Sequence, residues 1–194
     1  MKKENLRYMI NLIIIIVVLF ACCVGFALLL KDKVNEGQDP VREIDVTMVS
    51  EKNNVTIKSI LSVSDEFGKS ISEENNGAFG YLPFDVVNNT DYDRGFEIYV
   101  TENTENEKVI NGSYIIYYLT DFTDKPVTGF TDNKLPSYRD LKVLSDKADS
   151  RLLYSGMIPA GGKRQFILRT WISDLYVIKN DNEKFSFDIR VRAV

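Results

Sequence analysis

The longest apolar run of the chain, Leu12–Leu30, contains no charged side chain. A helix of this length rises about 28 Å at ~1.5 Å per residue, close to the ~30 Å hydrocarbon thickness of a bilayer. Backbone polar groups in lipid must be bonded within the segment, so a helix is favoured despite the β-branched residues. Together with the apolar residues just upstream, the pattern predicts one transmembrane helix over residues 8–30.

The pattern changes to a period of two after a short polar stretch. Residues 31–42 are polar and contain Gly37 and Pro40, which is typical of a flexible linker. From residue 43 onward, short apolar runs alternate with polar positions and are separated by turn residues. The clearest case is Phe185–Val194, where every second residue is apolar and the residues between are polar. This pattern predicts eight to ten strands.

Because helical and strand patterns do not alternate along the chain, we expect an all-β fold. Residues 43–194 are predicted to form an antiparallel β-sandwich, of jelly-roll or immunoglobulin-like type, preceded by the single transmembrane helix. Three local predictions follow. Pro83 marks Tyr81–Val87 as an edge strand or a bulge, the wholly apolar Tyr114–Leu119 is the most central strand, and Pro159–Gly162 is a hairpin turn.

Charges flanking the apolar run predict the orientation of the chain. Three basic residues precede the run, whereas the lysines that follow it are mixed with acidic residues. The positive-inside rule therefore places residues 1–7 in the cytoplasm and the domain 43–194 outside, in a single-pass protein of the cell membrane. The run exceeds the h-region of a cleaved signal peptide, so we expect an uncleaved signal-anchor. The stretch before Cys22 loosely resembles a lipoprotein box, but bulky Phe20 and the apolar residues that follow disfavour lipidation.

Composition excludes several classes of function. Five of the 24 basic and two of the 28 acidic residues fall within the first 33, so the remainder carries 19 basic and 26 acidic residues, a net charge of −7. An acidic domain does not attract phosphate backbones, so nucleic acid is not an expected partner. The chain has no histidine, and both cysteines lie in the apolar run. Catalytic triads, thiol catalysis in the domain and the usual zinc sites are therefore excluded, and no cofactor is expected.

Asp91 and Asp93 are the first metal-ligand candidates, and the pairs Asp146/Asp149 and Asp181/Glu183 are further carboxylates that an ion could use. Asp91 and Asp93 lie in Asn89–Gly95, whose alternating oxygen-bearing side chains resemble a calcium loop. The glycine falls one position late for an EF-hand, and Val100 occupies the position of its bidentate glutamate. An ordinary turn rich in Asn and Asp explains the same residues.

Aromatic residues supply the other candidates for a binding surface. Arg169 and Trp171 lie on the residue set alternate to Phe166 and Leu168, and an exposed pair of this kind can bind glycan or protein by stacking. Packing of Trp171 in the core is the alternative. Four tyrosines on neighbouring predicted strands are further candidates for a sugar-binding face, although core packing or cross-strand pairing is the favoured interpretation: Tyr99, Tyr114, Tyr117 and Tyr118.

A family resemblance rests on the last part of the chain. It is carried by Tyr154-Ser155-Gly156, by Ile158–Gly162, by Phe166–Asp174 and by the terminal strand. These segments resemble single-pass surface proteins of Gram-positive-type bacteria and, more distantly, the TasA/camelysin family. The resemblance implies an exported β-sandwich. The distant family comprises secreted jelly-roll proteins of biofilm fibres, some of them described as metallopeptidases.

Taken together, we expect a non-enzymatic, membrane-anchored surface protein with a binding or self-assembly role. The lipid bilayer is its partner through residues 8–30. A protein partner or a second copy is expected at a sheet edge, such as the Pro83 strand or Phe185–Val194. The alternatives are a camelysin-like membrane-bound peptidase and an accessory subunit of a secretion or envelope complex.

Overall fold

The computed structural model describes residues 45–103, 109–131, 134–179 and 182–194, all within the unit Val41–Val194. The predicted cytoplasmic N-terminus 1–7, transmembrane helix 8–30 and linker 31–42, together with Cys22, lie outside the described residues. Over the four described ranges, no helix has the length and apolar character needed to cross a bilayer.

The described residues form ten strands and little helix. A short helix, α1, spans Asp65–Lys69, and two 3-10 turns span Glu73–Ala78 and Gly112–Tyr114. The strands are β1 (Val46–Val49), β2 (Asn54–Lys58), β3 (Ser62–Val63), β4 (Gly80–Asn88), β5 (Arg94–Glu102), β6 (Ile115–Asp121), β7 (Lys142–Leu144), β8 (Lys147–Ile158), β9 (Lys163–Ser173) and β10 (Lys184–Ala193).

These strands form two sheets with one core between them. Sheet A has the order β1-β4-β9-β6, and β3 pairs with the last residues of β9 beyond the end of β4. Sheet B has the order β2-β10-β5-β8-β7. Every pairing is antiparallel except that of β3 with β9. The predicted antiparallel β-sandwich is confirmed at this level.

If the short strands β3 and β7 are left aside, each strand lies in the other sheet from the strand before it. β1, β4, β6 and β9 lie in sheet A, whereas β2, β5, β8 and β10 lie in sheet B. Pro159–Gly162 therefore crosses between sheets and is not a hairpin turn as predicted. Gly161 has a φ of 59°, and its N–H donates to Thr90 O at 2.8 Å, which ties this turn to the neighbouring turn 88–93.

The connections between the sheets lie at the two ends of the sandwich, which we call the base and the tip. The base contains Asp45, the turns 88–93 and 159–162, and Val194. Buried Asn88 links the two turns of the base, because its Nδ2 donates to Ile158 O, Pro159 O and Tyr92 O. The tip, at the opposite end, contains the loops 59–61 and 174–179 together with Glu183. There Ser59 N–H donates to Glu183 O, and Asp174 N–H donates to Val63 O.

The core is filled from both sheets according to the two-residue period. On β10 the side chains predicted to face inward are all buried, which confirms that pattern: Phe185, Phe187, Ile189, Val191 and Ala193. Aromatic rings make the contacts across the gap. Tyr117 of sheet A meets Phe187 of sheet B edge to face at 5.2 Å between centroids.

Strand β6 is not the central strand that its apolar sequence predicts. In sheet A it pairs only with β9 among the described strands, and its other edge is covered by residues 125–127 and 136–138. Tyr117 N–H donates to Pro136 O at 3.0 Å, and Val127 N–H donates to Leu119 O at 3.1 Å. The strand is apolar on both sides because both of its faces are buried.

The expected edges are also revised. Phe185–Val194 contributes β10, which lies between β2 and β5, so it is not the edge strand that was expected. Pro83 lies in β4 between β1 and β9, but β1 pairs only with residues 85–88. Pro83 therefore occupies a locally open position, where its missing N–H costs no ladder bond.

Replacing Phe187 with alanine tests the core contact between the sheets. Phe187 has no exposed surface, so Phe187→Ala should lower the free energy of unfolding by about 3–5 kcal/mol. Phe122→Ala is the matched control, because 66% of that residue is exposed and the change should stay within about 0.5 kcal/mol. Urea unfolding of both variants, followed by circular dichroism, measures the difference. Equal losses would contradict this account of the core.

Candidate functional site

Arg169 lies on the outer face of sheet A but is only 5% exposed. Its guanidinium has three partners from separate segments. Nε donates to Ile71 O at 2.6 Å, Nη1 to Thr120 Oγ1 at 3.1 Å and Nη2 to Asp124 Oδ1 at 2.7 Å. Hydrogen bonds and a carboxylate satisfy the buried charge, as a buried arginine requires. Arg169 thus holds the chain around Ile71 and the turn at Asp124 against the sheet.

Trp171 lies beside Arg169 and is completely buried. Residues 64–79, which we call the cover, pass over it. A Cβ added to Gly68 of α1 would lie 2.1 Å from Trp171 Cε2, so the helix backbone rests directly on the indole. The ring of Phe67 packs against that of Phe79 at 5.5 Å, which joins the two ends of the cover. The outer face of sheet A is therefore a second packed layer.

The cover also changes the environment of the acidic residue at its start. Partial burial raises the pKa of the Asp65 carboxyl above its ordinary value, while the charge of Lys69 acts in the opposite direction. Lys69 Nζ lies 5.9 Å from the ring centroid of Tyr118 on the same outer face. Charged groups of the cover thus lie against the aromatic surface beneath it.

The predicted binding surface at Arg169 and Trp171 is therefore wrong, although the predicted alternation along β9 is right. Both side chains point away from Phe166 and Leu168, but the face they occupy is covered and not open to solvent. Three of the four candidate tyrosines, Tyr99, Tyr117 and Tyr118, are buried as well. Burial raises the pKa of the Tyr117 hydroxyl well above its ordinary value. These aromatic residues form no exposed sugar-binding face.

Asp91 and Asp93 lie in the turn at the base and do not assemble a metal centre. Asp93 Oδ1 accepts from Ala160 N–H at 3.1 Å, so this carboxylate links the two turns of the base. Asn88 Oδ1 accepts from the N–H and the hydroxyl of Thr90, which gives an Asx turn. Within the described ranges, no three side chains of His, Cys, Asp or Glu converge on a common point.

Exposed aliphatic side chains gather at the tip. Four of them, between 46% and 78% exposed, lie on the two tip loops: Ile60, Leu61, Leu175 and Val177. Glu183 holds these loops together, because its backbone oxygen accepts from Ser59 N–H and its carboxylate accepts from the Tyr176 hydroxyl. Apolar side chains clustered in this way are typical of a contact surface.

Tyr176 fixes the second loop between Leu175 and Val177. Its ring packs against Tyr114 at 5.1 Å between centroids. The hydrogen bond to the Glu183 carboxylate raises the pKa of Tyr176 to about 12, with burial as the next cause. Tyr176 therefore turns inward and anchors the loop, while its two neighbours face solvent.

Sequence reasoning missed Arg164, which lies on the inner side of β9 near the base. Its Cζ lies over three core rings, at 5.3 Å from the centroid of Phe166, 5.7 Å from Tyr154 and 5.9 Å from Phe96. The alternation along β9 places Arg164 on the same side as Phe166, and that is the sequence signal for it. Arg164 is also one of five residues that line a depression of about 360 Å³.

Comparisons with known proteins provide no family assignment. No family model matches the chain, and no curated protein matches it. One similar solved structure is the VP2 subviral particle of infectious bursal disease virus, with a TM-score of 0.32 and 7% identity over 76% of this chain and 31% of that chain. Another is the K1 cleaved adhesin domain of Lys-gingipain from Porphyromonas gingivalis W83, with a TM-score of 0.26 and 11% identity over 76% and 98% of the two chains. The chain spans about a third of the VP2 chain, and neither similarity is close enough to assign a function.

Gly68→Ala tests the contact between the cover and sheet A. The added methyl group overlaps the Trp171 indole, so the free energy of unfolding should fall by about 1–3 kcal/mol. Gly77→Ala, also in the cover, is the matched control, because a Cβ there meets nothing within 4 Å. Thermal unfolding by calorimetry compares the two variants. If Gly68→Ala is no less stable than Gly77→Ala, the cover does not rest on Trp171.

The hydrogen bond of Tyr176 predicts a change of stability at alkaline pH. Folding raises the pKa of Tyr176 from 10.0 to about 12, so its contribution is complete below pH 10 and is lost as the pH rises from 10 to 12. In Tyr176→Phe, the free energy of unfolding should therefore fall less steeply over this interval than in the wild type. Glu183→Gln should reproduce the shallower slope. Identical slopes in all three proteins, measured by urea unfolding, would disprove the bond.

Proposed function

We propose that the protein is a single-pass membrane protein whose β-sandwich acts outside the cell as a binding or structural module. The observation that carries the proposal is the group of exposed aliphatic side chains at the tip: Ile60, Leu61, Leu175 and Val177. They are held by a defined hydrogen-bond frame around Glu183 and do not belong to an irregular loop. Such a surface fits a protein partner or a second copy.

The anchoring part of the proposal rests on the sequence. Residues 8–30 span the membrane as an uncleaved signal-anchor, with residues 1–7 in the cytoplasm and residues 31–42 as the linker. Asp45, the first described residue, lies at the base, where its carboxylate pairs with Arg94. The proposed contact surface is at the opposite end of the sandwich, the tip.

The proposal also keeps the resemblance to Gram-positive-type surface proteins of the TasA/camelysin kind. We infer a jelly-roll-like arrangement and not an immunoglobulin-like one. In the immunoglobulin order the first two strands share a sheet, whereas here β1 and β2 lie in different sheets. Crossing between sheets at each step is closer to a jelly roll.

The module is proposed to be non-enzymatic. Within the described ranges, three polar side chains near the surfaces described above make structural contacts: Arg169 with the cover, Asp93 with Ala160 and Glu183 with the tip loops. No observation among the described residues favours the peptidase alternative or the role of an accessory subunit. Binding through the tip is therefore the function that the geometry supports best.

Cross-linking on intact cells tests both the exposure of the domain and the role of its tip. Lys58, Lys179 and Lys184 lie near the tip loops and are exposed, so a membrane-impermeant amine cross-linker should capture the full chain in a discrete larger species. The double variant Leu175→Asp, Val177→Asp should lose that species, because two charges replace the apolar contact. Met157→Asp is the matched control, since Met157 is 61% exposed away from the tip.

The outcomes separate the two parts of the proposal. Capture that appears only after lysis would contradict the external location. Capture that persists in the double variant, with thermal unfolding unchanged, would contradict the tip as the contact surface. The mass of the captured species distinguishes a second copy from a different protein.

A further inference from the structure

The depression beside Arg164 has a defined structural origin. Strand β6 ends at Asp121, which pairs with Phe166 of β9. Residues 163–165 of β9 therefore extend past the end of β6 and have no neighbour from it. The gap is the depression of about 360 Å³, and five residues line it: Asp121, Phe122, Lys163, Arg164 and Gln165. A volume of this size accommodates a small ligand.

The guanidinium of Arg164 lies over three aromatic rings, and only part of its hydrogen-bonding capacity is used. Its Nη1 donates to Tyr154 OH at 3.2 Å and to Met157 O at 3.5 Å. Among the described residues, no hydrogen bond engages Nε or Nη2, and no carboxylate lies within ion-pair distance. A guanidinium with free donors is suited to bind a carboxylate.

Asp121 offers a hydrogen-bond acceptor on the same side of the sheet as Arg164. Its Oδ1 accepts from Thr123 and from Lys125 N–H, which leaves Oδ2 without a partner among the described residues. These bonds, led by the Thr123 hydroxyl, lower the pKa of the Asp121 carboxyl. Gln165 lies on the opposite face of β9 and donates to Asp85 of β4 at 3.0 Å, so its amide is turned away from Arg164. The free oxygen of Asp121 calls for a ligand that carries a hydroxyl group.

Phe122 gives the depression an apolar wall. It follows the last residue of β6, and 66% of it is exposed, which is unusual for a phenylalanine. The ring takes part in no aromatic contact among the described residues. Exposed rings of this kind pack against the flat apolar face of a ligand ring.

We propose that this depression binds a sugar residue that carries a carboxylate, as a uronic acid does. The carboxylate contacts Nε and Nη2 of Arg164, one face of the sugar packs on Phe122, and a hydroxyl group donates to Asp121. A neutral sugar leaves the Arg164 donors unused. A doubly charged anion such as phosphate is disfavoured by the neighbouring Asp121 carboxylate and by the net charge of −7 outside the first 33 residues.

This site lies near the base and is independent of the contact surface at the tip. It requires no catalysis and no residue of the tip loops. A failure of the cross-linking experiment therefore leaves the sugar site unaffected, and the reverse also holds.

Saturation-transfer NMR on the full chain in detergent micelles tests the proposal. The probes are D-glucuronate, D-glucose, acetate and a blocked glutamate amide. We expect D-glucuronate to bind, with D-glucose and acetate each at least roughly tenfold weaker, since each lacks one of the two recognised features. The glutamate amide, which has a carboxylate but no hydroxyl-bearing ring, should also be at least roughly tenfold weaker.

Variants locate the site within the fold. Arg164→Gln should weaken D-glucuronate binding roughly tenfold or more, through the loss of a charge-assisted contact. Phe122→Ala should weaken it roughly fivefold without loss of stability, through the loss of stacking. Arg139→Gln is the control, because Arg139 is exposed and does not line the depression. Arg164→Lys keeps a positive charge over the rings but removes the two parallel N–H donors of the guanidinium. This variant should fold normally and bind D-glucuronate more weakly than the wild type does.

Four results would overturn the proposal. They are an absence of D-glucuronate binding, equal binding of D-glucose, equal or tighter binding of the glutamate amide, and unchanged affinity in Phe122→Ala together with Arg164→Lys. Thermal unfolding of each variant shows whether the fold is retained. Because Phe122→Ala removes an exposed ring, its result does not depend on a change in folding.

Discussion

Around Trp171, sheet A has large buried side chains on both faces, and a sheet of that kind must be covered on both. Sheet B packs against its inner face, and the cover, residues 64–79, packs against its outer face. Arg169 is the interaction on which this second layer depends, because its guanidinium holds Ile71 of the cover and Asp124 of the next turn together. Gly68 allows the close approach, since any side chain there would collide with Trp171. The domain therefore has three layers where the cover lies.

This constraint decides which residues remain for recognition. An arginine and a tryptophan on the same face of a strand can bind a ligand only if that face is exposed to solvent. Once the face is covered, the same residues stabilise the fold, and recognition moves to places where the layers end. The two proposed contact sites lie at such places: the tip loops with their aliphatic side chains, and the gap beyond the end of β6 with Arg164. The gap arises because β6 ends before its neighbour β9 in the same sheet.

The sequence predicts the strands well because their signal is local. The alternation in Phe185–Val194 correctly assigns inward side chains, and the alternation in β9 correctly separates Arg169 and Trp171 from Phe166. It does not predict pairing, which depends on distant residues. Pro159–Gly162 has the composition of a hairpin turn, yet its hydrogen bond to Thr90 directs the chain into the other sheet. Likewise, Tyr114–Leu119 is apolar on both faces whether it is central or covered at its edge.

Candidate sites were harder to predict than strands for the same reason. Asp91 and Asp93 have the spacing of cation ligands, but Ala160, far away in sequence, takes up the Asp93 carboxylate. In the sequence, Arg164 is one of two adjacent basic residues that follow the turn at residues 159–162 and begin a strand. Its role depends on three rings from different strands and on the point at which β6 ends, and neither can be obtained from local spacing.

Collisional quenching of the single tryptophan by acrylamide, in the native full-length protein, tests the central claim that the cover seals sheet A. We expect Trp171 to emit at the short wavelength of a buried indole and to resist quenching until the protein unfolds. Emission at the wavelength of exposed tryptophan, with quenching close to that of the unfolded chain, would contradict the account, because the outer face of sheet A would then be open.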